Sequence, residues 1–197
     1  MIHIWSLLFS EYICNELNLN RCKQSIISYG LEVIIGASIK LIIYITIPLI
    51  SGFLNQFAAA YLSAGLLKIC SGGYHCSAYY RCLISTFLIF SLIAVISKYM
   101  AGTIPSEPIL YFSLFLALII FILLAPVDVK EKPIISLNRR KLLKTISCLM
   151  VIIYILLFYY WKPEQNIALA SGFAILFHVF TLTKFGNAFL RWVDKSL

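Results

Sequence analysis

Charge is scarce in this chain: Asp, Glu, Lys and Arg make up 12% of its 197 residues, against about 25% in ordinary soluble domains. Apolar residues make up 61% and the mean hydropathy is +0.93, so a water-soluble fold of this size could not hide its apolar surface. Also missing are internal repeats and any Pro/Gly/Ser-rich linker, and the apolar segments leave no room for a soluble domain. One helical membrane domain over residues 1–197 is expected. Acids are few, 8 against 16 bases, for a formal charge of +8. The bases lie between apolar segments instead of forming one surface, so membrane topology accounts for them and no nucleic-acid partner is expected. The six cysteines lack the spacing of a secreted disulfide framework and read mostly as buried thiols in a reducing context. The opening residues, MIHIWSLLFSEY, lack a basic n-region and a small-residue cleavage site, so they do not read as a signal peptide and insertion is expected to use internal helices.

What is present is a series of apolar runs at roughly 31–50, 53–70, 82–97, 109–126, 142–161 and 167–183, near the ~20 residues that span a bilayer. Ahead of them, Trp5, Leu8, Tyr12 and Ile13 fall on one helical stripe and Glu11, Asn15 and Asn18 on another. That pattern predicts an interfacial amphipathic helix within 1–29. The second run is weakly apolar and carries Ala60 and Ala64 at the spacing that lets helix backbones approach closely, so it is a buried span or a re-entrant segment, and it is compatible with a homodimer. Lys40 interrupts the first run, where it snorkels or pairs with Glu32 two turns earlier.

Basic residues test the topology, because cytoplasmic loops carry the excess of Lys and Arg. Arg21 and Lys23 precede the first run, Lys68 and Arg81 flank the second gap, six bases from Lys130 to Lys144 crowd the fourth, and Lys184, Arg191 and Lys195 follow the last. The other gaps hold only Lys98 with Glu107 and Lys162 with Glu164. About six crossings with both termini cytoplasmic satisfy this alternation, and residues 71–81 then lie at the cytoplasmic face. The 130–144 segment is expected to set orientation and to meet anionic headgroups of the bilayer.

One polar island interrupts the apolar half: KICSGGYHCSAYYRC, Lys68 to Cys82. A thiol becomes a nucleophile beside a base, and a His can take its proton and later protonate a leaving amine. His75 and Cys82 supply both parts. On one straight helix they would lie about 10 Å apart along the axis, too far for a transfer that needs about 3 Å. The pair can therefore act only if the chain bends, and Gly72 with Gly73 supplies the backbone freedom. The expected arrangement has His75 on a loop over the start of the helix that holds Cys82, where the helix dipole favours a thiolate. Against this stands the common case of Cys and His as buried structural residues. A metal site of Cys70, Cys76, Cys82 and His75 would have C-x5-C-x5-C spacing instead of the short C-x2-4-C of zinc sites, so no metal and no cofactor is expected. His3 and His178 read as bland, although an intramembrane ionisable residue keeps His178 a candidate.

GGYHCSAYYRC, with His75 and Cys82 seven apart after a Gly pair, resembles the AgrB peptidases of bacterial quorum sensing (accessory gene regulator protein B). APVDVKEKPI, residues 125–134, followed by a basic stretch ending at Lys144, looks like the segment after that family's fourth hydrophobic run. Size, hydrophobic layout and motif order agree over nearly the whole chain. The resemblance implies a multi-pass enzyme of the bacterial cell membrane, a cysteine endopeptidase that cuts the C-terminal part from an amphipathic AgrD-type precursor peptide. Cys82 would form the acyl-enzyme thioester with His75 as base, and cyclisation to a thiolactone or lactone would follow. Gly72, Gly73 and Lys68 would position the substrate or shape the turn, although many family members carry Arg where this chain has Lys68, which forgoes bidentate carboxylate recognition. No acid lies within the motif to orient His75, leaving Ser71, Ser77 and Asp128 as candidates. The rival readings are a small transporter or exporter of a peptide or solute, and a non-enzymatic membrane adaptor.

Overall fold

The computed structural model describes residues 2–17, 21–74, 76–128 and 135–196. These form helices α1 (Ile2–Glu16), α2 (Arg21–Ile50), α3 (Leu54–Ser71), α4 (Tyr79–Met100), α5 (Ser106–Leu124), α6 (Leu137–Trp161), α7 (Gln165–Leu182) and α8 (Lys184–Ser196). The all-helical membrane class expected from the sequence is what is found: α2, α4, α5, α6 and α7 are long and apolar enough to cross a bilayer. α3, the second apolar run, is an 18-residue helix that is not among those five. The chain divides into two compact units, Met1–Ile50 and Ser51–Leu197.

In the first unit α1 lies along α2 through small residues. Ser6, Ser10 and Cys14, four apart, are buried, and Ser6 Oγ donates to the His3 carbonyl at 2.8 Å and lies 3.4 Å from Ser28 Oγ. Trp5, Leu8 and Tyr12 of the apolar stripe are exposed and Ile13 is half-buried, so the stripe is not the face that packs on α2. Between helices that sit in lipid, burying large apolar side chains gains little, and close backbone approach through small residues decides the packing face. Glu32 is met by His3, Nδ1 to Oε2 at 3.3 Å, and the Lys40 ammonium lies over the Tyr44 ring, 5.2 Å from its centroid.

The second unit is organised around α7, which packs against α3, α4, α5 and α8. Its apolar window is 61% buried, whereas the other spanning candidates are 17–28% buried; this is the helix that other helices cover, and they turn their own apolar faces outward. Phe112, Phe115 and Leu123 on α5 and Ile152 and Leu157 on α6 are exposed, as side chains that face acyl chains should be. Ala60 and Ala64 of α3 are buried against Ala170 and Ala174 of α7, so the small-residue stripe serves packing inside this unit. Leu67, Leu114, Phe121, Val151 and Ile175 fill a larger core from α3, α5, α6 and α7.

α8 was not foreseen as a helix. Only Thr183 separates it from α7, and the turn is so tight that a Cβ on Gly186 would sit 2.0 Å from the Phe180 carbonyl oxygen. Hydrogen bonds tie together the C-terminal end of α3, the segment after α5, the start of α4 and α8 at one end of this unit. At the other, Lys98 Nζ donates to the Gly52 carbonyl at 2.8 Å.

Candidate functional site

α3 ends where Gly72 takes φ +76, with its N–H donated to the Lys68 carbonyl at 3.0 Å. Gly73 follows at φ +119. The pair lies against the segment after α5: Val127 N–H donates to the Ser71 carbonyl at 2.9 Å, and Gly73 N–H to the Val127 carbonyl at 3.4 Å. A Cβ on Gly72 would stand 2.4 Å from that Val127 oxygen, so residue 72 must be glycine both for its backbone angle and for the approach of a second backbone. Residues 72–74 and 76–78 therefore lie outside the helices, between the end of α3 at Ser71 and the start of α4 at Tyr79. His75 itself lies outside the described residues.

Beyond the glycines, Tyr74 reaches α8, its hydroxyl donating to Asp194 Oδ2 at 2.7 Å. Ser77 N–H donates to the same carboxylate, at 3.1 Å to Oδ2 and 3.3 Å to Oδ1. Burial, followed by the Asp194 carboxylate beside it, pushes the Tyr74 phenol up to about 12. The Tyr74 hydrogen bond in turn holds the Asp194 carboxyl below its ordinary value. Cys76 lies 3.6 Å from Ser85 Oγ, and burial raises its thiol. α4 then begins after Ala78, which supplies no side-chain cap. Cys82 is in the first turn as expected, half-buried, with its N–H on the Ala78 carbonyl at 3.1 Å and its sulfur 3.9 Å from Thr86 Oγ1. Its neighbour Arg81 turns to α8 and donates from Nη1 to the Asp194 backbone carbonyl at 2.6 Å.

The polar candidates for orienting His75 have other engagements. Ser71 Oγ donates to the Leu67 carbonyl at 2.8 Å and lies 2.7 Å from His178 Nε2, so the serine accepts and the imidazole donates from Nε2. His178 also meets Phe121 edge-on at 5.9 Å; it is the hydrogen-bonded packing histidine that its apolar surroundings suggested. Ser77 accepts from Arg81 at 3.4 Å, and Asp128 pairs with Arg140. Lys68 is in the last turn of α3, close enough for its charge to act on Cys76. Asp194 was missed by sequence reasoning; the one signal in the chain is that it is the single acidic residue of α8, whose other charged residues are basic. Another face of α8 forms an open groove of about 480 Å³ lined by Lys184, Asn187, Ala188, Arg191, Trp192 and Lys195.

These features define a multi-pass helical membrane protein with a thiol in the first turn of one helix, reached through a glycine-hinged loop. The accessory gene regulator B model matches residues 6–182, and the chain belongs to that family of bacterial membrane proteins. Two relatives named AgrB-like proteins span nearly its whole length: one from Clostridium perfringens is 27% identical over 99% of this chain and 97% of its own. The other, from Clostridium beijerinckii, is 28% identical over 97% and 92%. A third, from Listeria monocytogenes, is 30% identical over 60% of this chain and 56% of its own. No solved structure gives a significant match.

Proposed function

We propose that this protein is a membrane cysteine endopeptidase that cuts an AgrD-type precursor peptide and promotes its cyclisation. Family membership supports a role in processing a quorum-sensing peptide. The observation that carries the finer reading is the break in the helix between Ser71 and Tyr79. A helix that begins only at Tyr79 does not impose the separation of about 10 Å that one straight rod would set between His75 and Cys82, and it leaves Cys82 in a first turn whose terminal N–H groups favour negative charge.

In this mechanism His75 takes the thiol proton as Cys82 Sγ attacks the scissile carbonyl. The tetrahedral intermediate collapses with rupture of the C–N bond, and the imidazolium returns the proton to the leaving amine. The N-terminal part of the precursor is left as a thioester on Cys82. A thiol or hydroxyl within that part then gives its proton to His75 as it attacks the thioester carbonyl and expels the Cys82 thiolate, closing a thiolactone or lactone. Shielding the thioester from water favours this exchange over hydrolysis.

A transporter would need polar groups free to line a path across several spans. Ser97, Ser113 and Ser147, buried in α4, α5 and α6, instead donate to carbonyls of their own helices at 2.6–2.8 Å, which leaves Ser91 of α4 and Ser171 of α7 as the buried hydroxyls of the described spans without a partner. The test is coexpression of a candidate precursor with wild type, Cys82→Ala and His75→Ala proteins, followed by mass spectrometry. Cleavage that needs both side chains, with an acyl adduct absent from Cys82→Ala, is expected. Cleavage by both variants while stably inserted would show these residues to be structural.

A further inference from the structure

We infer that Asp194 is a positioning residue for the thiol–imidazole pair, acting from the C-terminal helix on the loop that carries His75. The inference rests on the roles proposed above for His75 and Cys82. Asp194 is only 4% exposed, and a carboxylate so buried must be paired or hydrogen-bonded. Its bonds converge on one stretch of chain. The carboxylate holds Tyr74 and Ser77, which precede and follow His75 by one and two positions, while its backbone carbonyl holds Arg81, the residue before Cys82. One residue thus fixes both approaches to His75 and the start of the helix that presents the thiol.

Loops with two consecutive positive-φ glycines have little local stiffness. Here the Val127 contact holds the glycine side of the loop and Asp194 holds the side nearer α4. The other titratable or charged groups near Asp194 among the described residues are Tyr74, Arg81 and, beside Tyr74, Cys76 and Arg191. None is a carboxylate, so nothing else in this group can accept both bonds.

The experiment follows alkylation of Cys82 by iodoacetamide as a function of pH, mapped by mass spectrometry, on the full chain in lipid nanodiscs. Variants are His75→Ala, Asp194→Ala, Asp194→Asn, Asp194→Glu and Tyr74→Phe, with kcat and KM for precursor cleavage measured alongside. His75→Ala removes the low-pH limb that a thiolate–imidazolium pair gives the profile. Asp194→Ala and Asp194→Asn are expected to move the profile toward that of His75→Ala and to lower kcat by about 10–100-fold, with KM little changed, as a misplacement of about 1 Å does. Asp194→Glu recovers part of the loss. Tyr74→Phe, which keeps the carboxylate and loses one of its donors, falls by about 3-fold and carries the test if the Asp194 variants fail to insert. A His75→Ala profile identical to wild type overturns the peptidase reading and this inference with it. A His75→Ala shift, with folded Asp194 and Tyr74 variants that keep the wild-type profile and kcat, overturns the inference alone and makes Asp194 a purely structural anchor.

Discussion

Replacing Gly72 with alanine tests the link between the site and the fold. At φ +76 and ψ −148, a residue with a Cβ is strained by roughly 1–3 kcal/mol. The new methyl would also stand 2.4 Å from the Val127 oxygen and 3.4 Å from its carbonyl carbon and nitrogen, contacts that only backbone movement relieves. Separating the two segments weakens the Val127 N–H bond to Ser71 and the Gly73 N–H bond to Val127, each contributing about 0.5–1.5 kcal/mol. Together these give about 2–6 kcal/mol. Gly73→Ala is the control: its φ, +119, is also positive, but the Cβ meets only Leu182 Cδ2 at 3.4 Å, so its cost stays near the strain alone, about 1–3 kcal/mol. The assay is amide exchange at Val127 together with unfolding in mixed micelles. Faster exchange at Val127 and a larger loss for Gly72→Ala than for Gly73→Ala are expected. Equal losses, or a Gly72→Ala protein as stable as wild type, would refute the close-approach argument.

Ser71→Ala leaves His178 Nε2–H buried without its acceptor at 2.7 Å, and should cost about 1–3 kcal/mol in unfolding experiments while Ser71→Thr retains most of the stability. The Asp194 carboxyl is held below its ordinary value of 3.8, so it favours the folded state above pH ~4 and loses that contribution as pH falls through the folded value. The stability gap between wild type and Asp194→Asn should therefore be widest near neutrality and close on acidification below about pH 4. Tyr74 works in the opposite sense. Its phenol is raised from 10.0 to about 12, so its contribution is complete below pH ~10 and fades as pH rises toward about 12, a loss that Tyr74→Phe should not show.

Much of this protein is legible in its residues because a bilayer constrains a chain locally: every span must satisfy its own backbone, so apolar runs of sufficient length must be helices. The runs expected at 109–126, 142–161 and 167–183 correspond to α5, α6 and α7, and the motif from Gly72 to Cys82 could be read without a partner segment. The helix break after the Gly pair followed from the same local reasoning. Which face of α1 packs on α2 did not follow from the apolar stripe. In α1 the largest apolar residues are outermost and the packing face is Ser6, Ser10 and Cys14. α8, at 13 residues, is too short to be found as a span, and its basic residues drew attention to topology instead.

The sequence by itself determined the membrane class and the long apolar helices, and it offered His75 and Cys82 as the proposed reactive pair, because hydropathy, backbone satisfaction and glycine conformation act over a few neighbouring residues. Only the tertiary structure decided what holds that pair's loop. Gly72 meets Val127 and Ser71 meets His178 across long stretches of chain, and the carboxylate that binds Tyr74 and Ser77 comes from residue 194, 120 and 117 positions away. Hydrogen bonds between residues so far apart depend on how α3, α4, α5, α7 and α8 come together, and no local pattern in the chain encodes the pairing.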